Sequence, residues 1–187
     1  MKGLVLAGGE SRRFGNDKAL APWQSDTDES FAERATKLLQ KFMPEVWISC
    51  RASQQLSFSQ NIITDANEFS EGPAAGFRAA FQLDPEATWM VMACDLVHVN
   101  EECLQFLFEK WAQHSSSSAL LFESVPDTPE ITYEPLLGIW TPAALIHFNE
   151  FPLPSPQQVA RHAQAMAITC PDPTWLQSQN TPPLFIC

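Results

Sequence analysis

Apolar residues fall into two rhythms along this chain. Short unbroken apolar runs alternate with stretches in which apolar positions recur every third or fourth residue, the spacings of buried strands and amphipathic helices. "GLVLA" (3–7) predicts a buried strand, and "EVWIS" (45–49) and "NIITD" (61–65) predict short strands with β-branched content. "TWMVMACD" (88–95) predicts a central strand ending in an aspartate. "SSSSALLFES" (115–124) is a polar linker running into a strand, and "TYEPLLGIW" (132–140) and "AMAITC" (165–170) predict two more. Between them lie helices. Ser30 with Glu33 three residues on has capping-box spacing, and Phe31, Ala35, Leu38, Leu39 and Phe42 then share one face. "GPAAGFRAAF" (72–81) reads as a loop entering a helix. Asn100 caps a helix running to about His114, with Cys103, Leu104, Leu107, Phe108 and Trp111 on its buried face. A further helix is expected around Ala143 to Phe148, and Ser155-Pro156 starts another.

Strands alternating with helices predict an α/β fold, doubly wound around a mainly parallel sheet. At 187 residues, with no internal repeat, the expectation is one domain spanning 1–187. Most of the 15 prolines follow residue 120, in segments such as "FPLPSP" and "CPDPTW". The last quarter should therefore be loop-rich and packed on the sheet.

Composition narrows the partners. A formal charge of −11 with only 11 basic residues argues against nucleic acid or an anionic membrane surface. No long apolar run predicts a membrane span, and the N-terminal apolar run carries no cleavage signal. Five cysteines, an odd number without a C-x-x-C pair, predict reduced thiols and a cytoplasmic location. The four histidines show no metal-ligand spacing and read as surface or packing residues. Trp23 and Trp175, in polar surroundings, are candidates to line a pocket.

Chemistry concentrates in "GLVLAGGESRRFGNDKA" (3–19). The stretch has neither the P-loop spacing nor the dinucleotide fingerprint. It does follow a strand with two glycines that admit backbone N–H groups to an anion, then adds Arg12, Arg13 and Lys18. A tight turn with solvated arginines would look the same. Asp95 closes the strand "WMVMACD", at the sheet edge where α/β proteins bind ligands, and is a candidate Mg²⁺ ligand. Asp65 ends "NIITD" in a comparable way; both also fit a turn or helix cap. "GPAAG" (72–76) has small residues that let a flat group approach backbone. No nucleophile elbow appears.

Taken in order, "LAGGESRRFGNDKA", "IITD", "EGPAAG", a strand ending in "CD", "EPLLGIW" and a late "NTP" at 180–182 resemble the MobA-type molybdenum cofactor guanylyltransferases. The resemblance covers most of the chain, and its first motif is the most specific. It implies a Rossmann-like nucleotidyltransferase fold that joins GMP from GTP to the molybdopterin-bound cofactor, releasing pyrophosphate with Mg²⁺. It further implies that Leu6, Ala7, Gly8 and Gly9 meet the nucleotide, and that Arg13 and Lys18 neutralise the triphosphate. Asp65 would contact the nucleotide, Asp95 would hold the metal, and Gly72, Pro73 and Gly76 would lie beside the base. Ser49 stands where the family has a nucleotide-contacting asparagine, and Asn180 would lie on the acceptor side. Product would pass to molybdoenzymes or their chaperones.

The chain departs from the family pattern in "LAPWQSDTDES" (20–30), which lacks the glycine-bearing turn, in "DLV" after the aspartate, and in the lack of basic residues in "FNEFPLPSPQQ". These departures keep two other readings open: transfer with another base or acceptor, cytidylyl or sugar-phosphate, and a non-catalytic nucleotide-binding relative.

Overall fold

The computed structural model describes residues 1–8, 17–52, 54, 61–64, 72–124, 132–152 and 154–180. The unbroken apolar runs become the central strands: β1 (Lys2–Leu6) and β4 (Trp89–Ala93) are buried almost throughout. A strand apolar on both faces must be covered on both sides. The remaining strands are β2 (Val46–Cys50), β3 (Asn61–Thr64), β5 (Ala119–Ser124), β6 (Thr132–Trp140) and β7 (Met166–Ile168). They form one sheet in the order β3-β2-β1-β4-β6-β5-β7. Pairing is parallel from β3 to β4 and between β5 and β7, while β6 runs antiparallel to both of its neighbours.

Two apolar layers sandwich the sheet. On one face α1 (Phe31–Gln40) and α3 (Glu101–Gln113) contribute Phe31, Ala35, Leu39, Leu104 and Leu107 to a layer that includes Val5, Ile48 and Met92. The other layer gathers Leu4, Leu6 and Val91 with Phe77 and Ala80 of α2 (Pro73–Leu83). It is completed by α4 (Pro142–Leu145), α5 (His147–Glu150) and α6 (Pro156–His162) through Leu145, Phe148 and Val159. This is the doubly wound arrangement that the alternating pattern predicts.

The caps fall where the sequence places them. Ser30 and Glu33 form a reciprocal capping box on α1, Asn100 accepts from the Cys103 N–H, and Ser155 accepts from the Gln158 N–H ahead of Pro156. One expected helix is divided. Around Ala143 to Phe148 the backbone stays helical at Ile146, but the Asn149 N–H bonds to the Ile146 carbonyl only three residues back. That tightening ends α4 and restarts the chain as α5. The proline-rich last quarter does pack on the sheet: β7 pairs with β5, and Trp175 is buried against Phe106 and Phe122. Among the described residues no helix is long and apolar enough to cross a membrane.

Candidate active site

The chain winds outward from β1 to β2 and β3, then returns to place β4 on the other side of β1. The carboxyl ends of β1 and β4 therefore open a crevice where strand order reverses, the place where open α/β sheets hold ligands. A cavity of about 160 Å³ lies there. Leu6, Ala7 and Gly8 from the end of β1 form one wall, and Ala93, Cys94 and Asp95 from the end of β4 form another. Backbone bonds zip the walls together: the Cys94 N–H donates to the Leu6 carbonyl at 3.1 Å, and the Ala7 N–H to the Ser49 carbonyl at 2.8 Å.

Lys18 enters from a single 3-10 turn, Lys18–Leu20, whose start is capped by the Asp17 carboxylate accepting from the Ala19 N–H. Its ammonium lies over the Phe31 ring, 5.9 Å from the centroid, and the residue is only 9% exposed. The ammonium donates to Asp95 Oδ2 at 2.8 Å and to Asn180 Oδ1 at 3.2 Å. The C-terminal segment is tied in beside them, because the Gln179 N–H donates to the Asp95 carbonyl at 3.0 Å. Residues from three distant parts of the sequence thus converge on one cation.

The helix α2 closes the cavity from the side. Gly72 caps it at φ 83°, a conformation that glycine adopts without strain, and Pro73 occupies the first helical turn. Gly76 belongs to the helix rather than to a preceding loop. A Cβ there would lie 2.5 Å from Leu6 Cδ2 and 2.6 Å from Ser49 Oγ, so glycine lets α2 sit directly on β1 and β2.

Asp95 brings a carboxylate to the cavity, and a second carboxylate lies near it. The β4–β6 ladder runs antiparallel as far as Met92 and Leu137, and beyond it Glu134 of β6 lies within electrostatic reach of Asp95. Leu136 lines the cavity, and Glu134 lies two residues before it on β6, where the register against β5 shifts. Burial, and then the charge of Asp95, push the Glu134 carboxyl up to about 6, against a hydrogen bond from the Leu136 backbone. Cys94 also lines the cavity, but burial pushes its thiol up to about 12. It stays protonated at neutral pH and is a poor nucleophile.

The residues expected from sequence are largely brought together. Leu6, Ala7, Gly8, Lys18, Ser49, Gly72, Pro73, Gly76 and Asp95 all line this cavity, and Asn180 joins through Lys18. Gly9, Arg13 and Asp65 lie outside the described residues. The two tryptophans are elsewhere. Trp23 is held by Glu29 and lies under Arg34, and Trp175 belongs to the core. Sequence reading missed Glu134, although it opens "EPLLGIW"; its nearness to Asp95 emerges only once β6 packs beside β4. It also missed Gln54, whose amide donates to the Ala7 carbonyl and to both Asp17 carboxylate oxygens. No sequence signal marks that residue.

The chain as a whole is similar to known proteins. Residues 3–164 match the model of the MobA-like NTP transferase domain. The molybdenum cofactor biosynthesis bifunctional protein of Synechocystis is 34% identical over 151 residues, 79% of this chain and 41% of that protein. The chain therefore spans less than half of that relative. The molybdenum cofactor guanylyltransferase of Pseudomonas fluorescens is 28% identical over 190 residues, covering 97% of this chain and 90% of that one. Among solved structures, an Aquifex aeolicus protein superposes with a TM-score of 0.72 at 20% identity, covering 96% of this chain and 93% of that one, which speaks to the fold. With the match running from the first strand to just beyond α6, the chain belongs to the family of MobA-like NTP transferase domains.

Proposed function

We propose that this chain transfers GMP from GTP to the molybdopterin-bound cofactor, releasing pyrophosphate and forming the guanine dinucleotide. The observation that carries the reading is the Lys18–Asp95 pair at 2.8 Å, at the mouth of a switch-point cavity. The names of the Synechocystis and Pseudomonas relatives supply the acceptor.

In this reading guanosine lies along Leu6, Ala7 and Gly8, with its base beside Gly72 and Pro73, and the triphosphate extends toward Lys18. A phosphate oxygen of the acceptor attacks the α-phosphorus in line as the bond to the β-phosphate bridging oxygen breaks, and pyrophosphate departs. The attacking oxygen is already ionised at neutral pH, so no proton needs to be removed and no general base is required. The protein's task is alignment and charge stabilisation. Lys18 exchanges its carboxylate partner for phosphate oxygens, and Arg13 adds a second cation from the glycine-rich stretch. Cys94, kept as a thiol, takes no part.

The donors at the cavity mouth suit Mg²⁺. They are oxygens, and the raised Glu134 carboxyl beside Asp95 marks a concentration of negative charge that a divalent cation relieves. Asp95 would hold the ion, which when bound neutralises charge developing on the α-phosphate and pyrophosphate. The same reading puts the protein in the cytoplasm, with molybdoenzymes or their chaperones receiving the product.

The test is transfer of label from the α-phosphate of GTP to molybdopterin cofactor in the presence of MgCl₂. Label transfer with matching pyrophosphate release is expected, absent in Asp95→Ala. Equal turnover by that variant, or turnover with CTP but not GTP, overturns the assignment.

A further inference from the structure

Three titratable side chains meet away from the cavity, where α5 and α6 come together, and none of them lines it. His147 Nδ1 lies 2.5 Å from Glu150 Oε2. His162, the last residue of α6, sets its ring edge-on to His147, with centroids 4.6 Å apart. One donor atom from each of the three lies within 4.8 Å of the other two. Although a proline-rich turn separates the helices, the backbone beneath the cluster is pinned. Arg78 of α2 donates to the carbonyls of Phe148, Phe151 and Pro152, and the Phe151 ring packs edge-on against His162.

We infer that His147, Glu150 and His162 form a site for a divalent transition-metal ion of the zinc, cobalt or nickel class. Two imidazoles and one carboxylate select such ions over Mg²⁺, which prefers an all-oxygen shell. Three protein donors leave a coordination position for water. Tetrahedral bonds of about 2.0–2.1 Å place donors roughly 3.4 Å apart, so the widest separations close by about an ångström while His147 Nδ1 and Glu150 Oε2 open by a similar amount. The side chains are free to do so: Glu150 is 51% exposed at its side chain and His162 is exposed, while the half-buried His147 anchors the site. The bound ion clips α5 to α6. Helical spacing alone hides the site, because His147 and His162 lie on different helices.

Calorimetric titration of the EDTA-stripped chain with ZnCl₂, in a non-coordinating buffer above neutral pH and without nucleotide, tests the site independently of catalysis. One ion per chain at micromolar affinity is expected, with a rise in melting temperature. His162→Ala should weaken binding by about tenfold or more and Glu150→Gln by a smaller factor. His98→Ala and His114→Ala should bind as the parent does. Because both test positions are exposed, melting in EDTA should shift far less in either variant than the parent's melting does on adding zinc. Cobalt(II) should give visible d–d bands without the thiolate charge-transfer band that cysteine ligation produces. The site is overturned by lack of saturable binding, by parental affinity in His162→Ala, or by a thiolate band.

Discussion

Lys18 Nζ donates to Asp95 Oδ2 at 2.8 Å across 77 positions of sequence. The contact joins the turn after the glycine-rich stretch to the end of the central strand, and both side chains are largely shielded, at 11% and 25% exposure. In the proposed reaction Lys18 turns from Asp95 to the triphosphate while Asp95 would hold the metal on the same phosphates, so each loss undermines the other's role. Lys18→Ala should lower kcat for pyrophosphate release by about 10²–10³-fold, the scale of losing one preorganised donor to developing negative charge. Lys18→Ala/Asp95→Ala should cost far less than the product of the single losses. Multiplicative losses would show that the residues act separately.

Two glycines of the cavity wall fail for different reasons when given a side chain. Gly76→Ala places its Cβ against Leu6 Cδ2 and Ser49 Oγ, and overpacking of this kind costs about 1–3 kcal/mol. Gly72→Ala meets no atom within 4 Å, but its φ of 83° and ψ of −164° lie in a region that only glycine occupies readily, at a similar cost of about 1–3 kcal/mol. Urea midpoints should fall in both. Shortening the clashing partner separates the causes: Leu6→Val should recover part of the Gly76→Ala loss and none of the Gly72→Ala loss. Recovery of both, or of neither, contradicts the assignment.

Glu134 sets a pH dependence of the metal-free fold. Its carboxyl sits at about 6 in the folded chain against 4.5 for the free side chain, so the folded state binds the proton more tightly. That contribution to stability is complete below about pH 4.5 and is lost as pH rises through 6. The shift corresponds to up to about 2 kcal/mol, nearer 1 after solvent screening. Glu134→Gln should therefore be more stable than the parent at pH 8 in EDTA, by about 1 kcal/mol, and nearly equal to it at pH 4. Denaturant melts at the two pH values check this. Equal stability at pH 8 removes Asp95 and burial as a constraint on Glu134.

Much of this fold is legible in the chain because its physics is local. Unbroken apolar runs become buried strands, and Ser30, Asn100 and Ser155 cap helices where their spacing says they should. Lys18 and Asp95 are legible as candidates because each closes a local pattern, one after a glycine-rich strand exit and one at a strand end. What stays hidden depends on pairing between distant segments. The antiparallel direction of β6 is set by its neighbours, and with it the approach of Glu134 to Asp95. The meeting of His147 with His162 likewise depends on two short helices packing together. Gly76 shows the converse: a glycine easily read as loop chemistry is required by helix-to-sheet packing.

Gln54 holds the neck of the glycine-rich stretch, which suggests a test of positioning apart from charge. Its Nε2 donates to the Ala7 carbonyl at 3.0 Å and to the Asp17 carboxylate at 2.8 and 3.1 Å, while its Oε1 accepts from the Arg51 N–H at 2.7 Å. Ala7 precedes the stretch and Asp17 follows it, so a single buried amide ties both ends. Gln54→Ala leaves buried acceptors without that donor, at about 1–3 kcal/mol. Because the amide is placed to hold the loop rather than the reacting phosphate, KM for GTP should rise by about tenfold while kcat changes little. Gln54→Glu should bind GTP more weakly still at pH 8, where a carboxylate replaces the donor and faces Asp17. Lowering the pH toward 5 should narrow the gap between the two variants as that carboxylate takes up a proton and regains a donor. A kcat loss with unchanged KM would instead place Gln54 among the groups acting on the transition state, and unchanged kinetics in both variants would end the neck hypothesis.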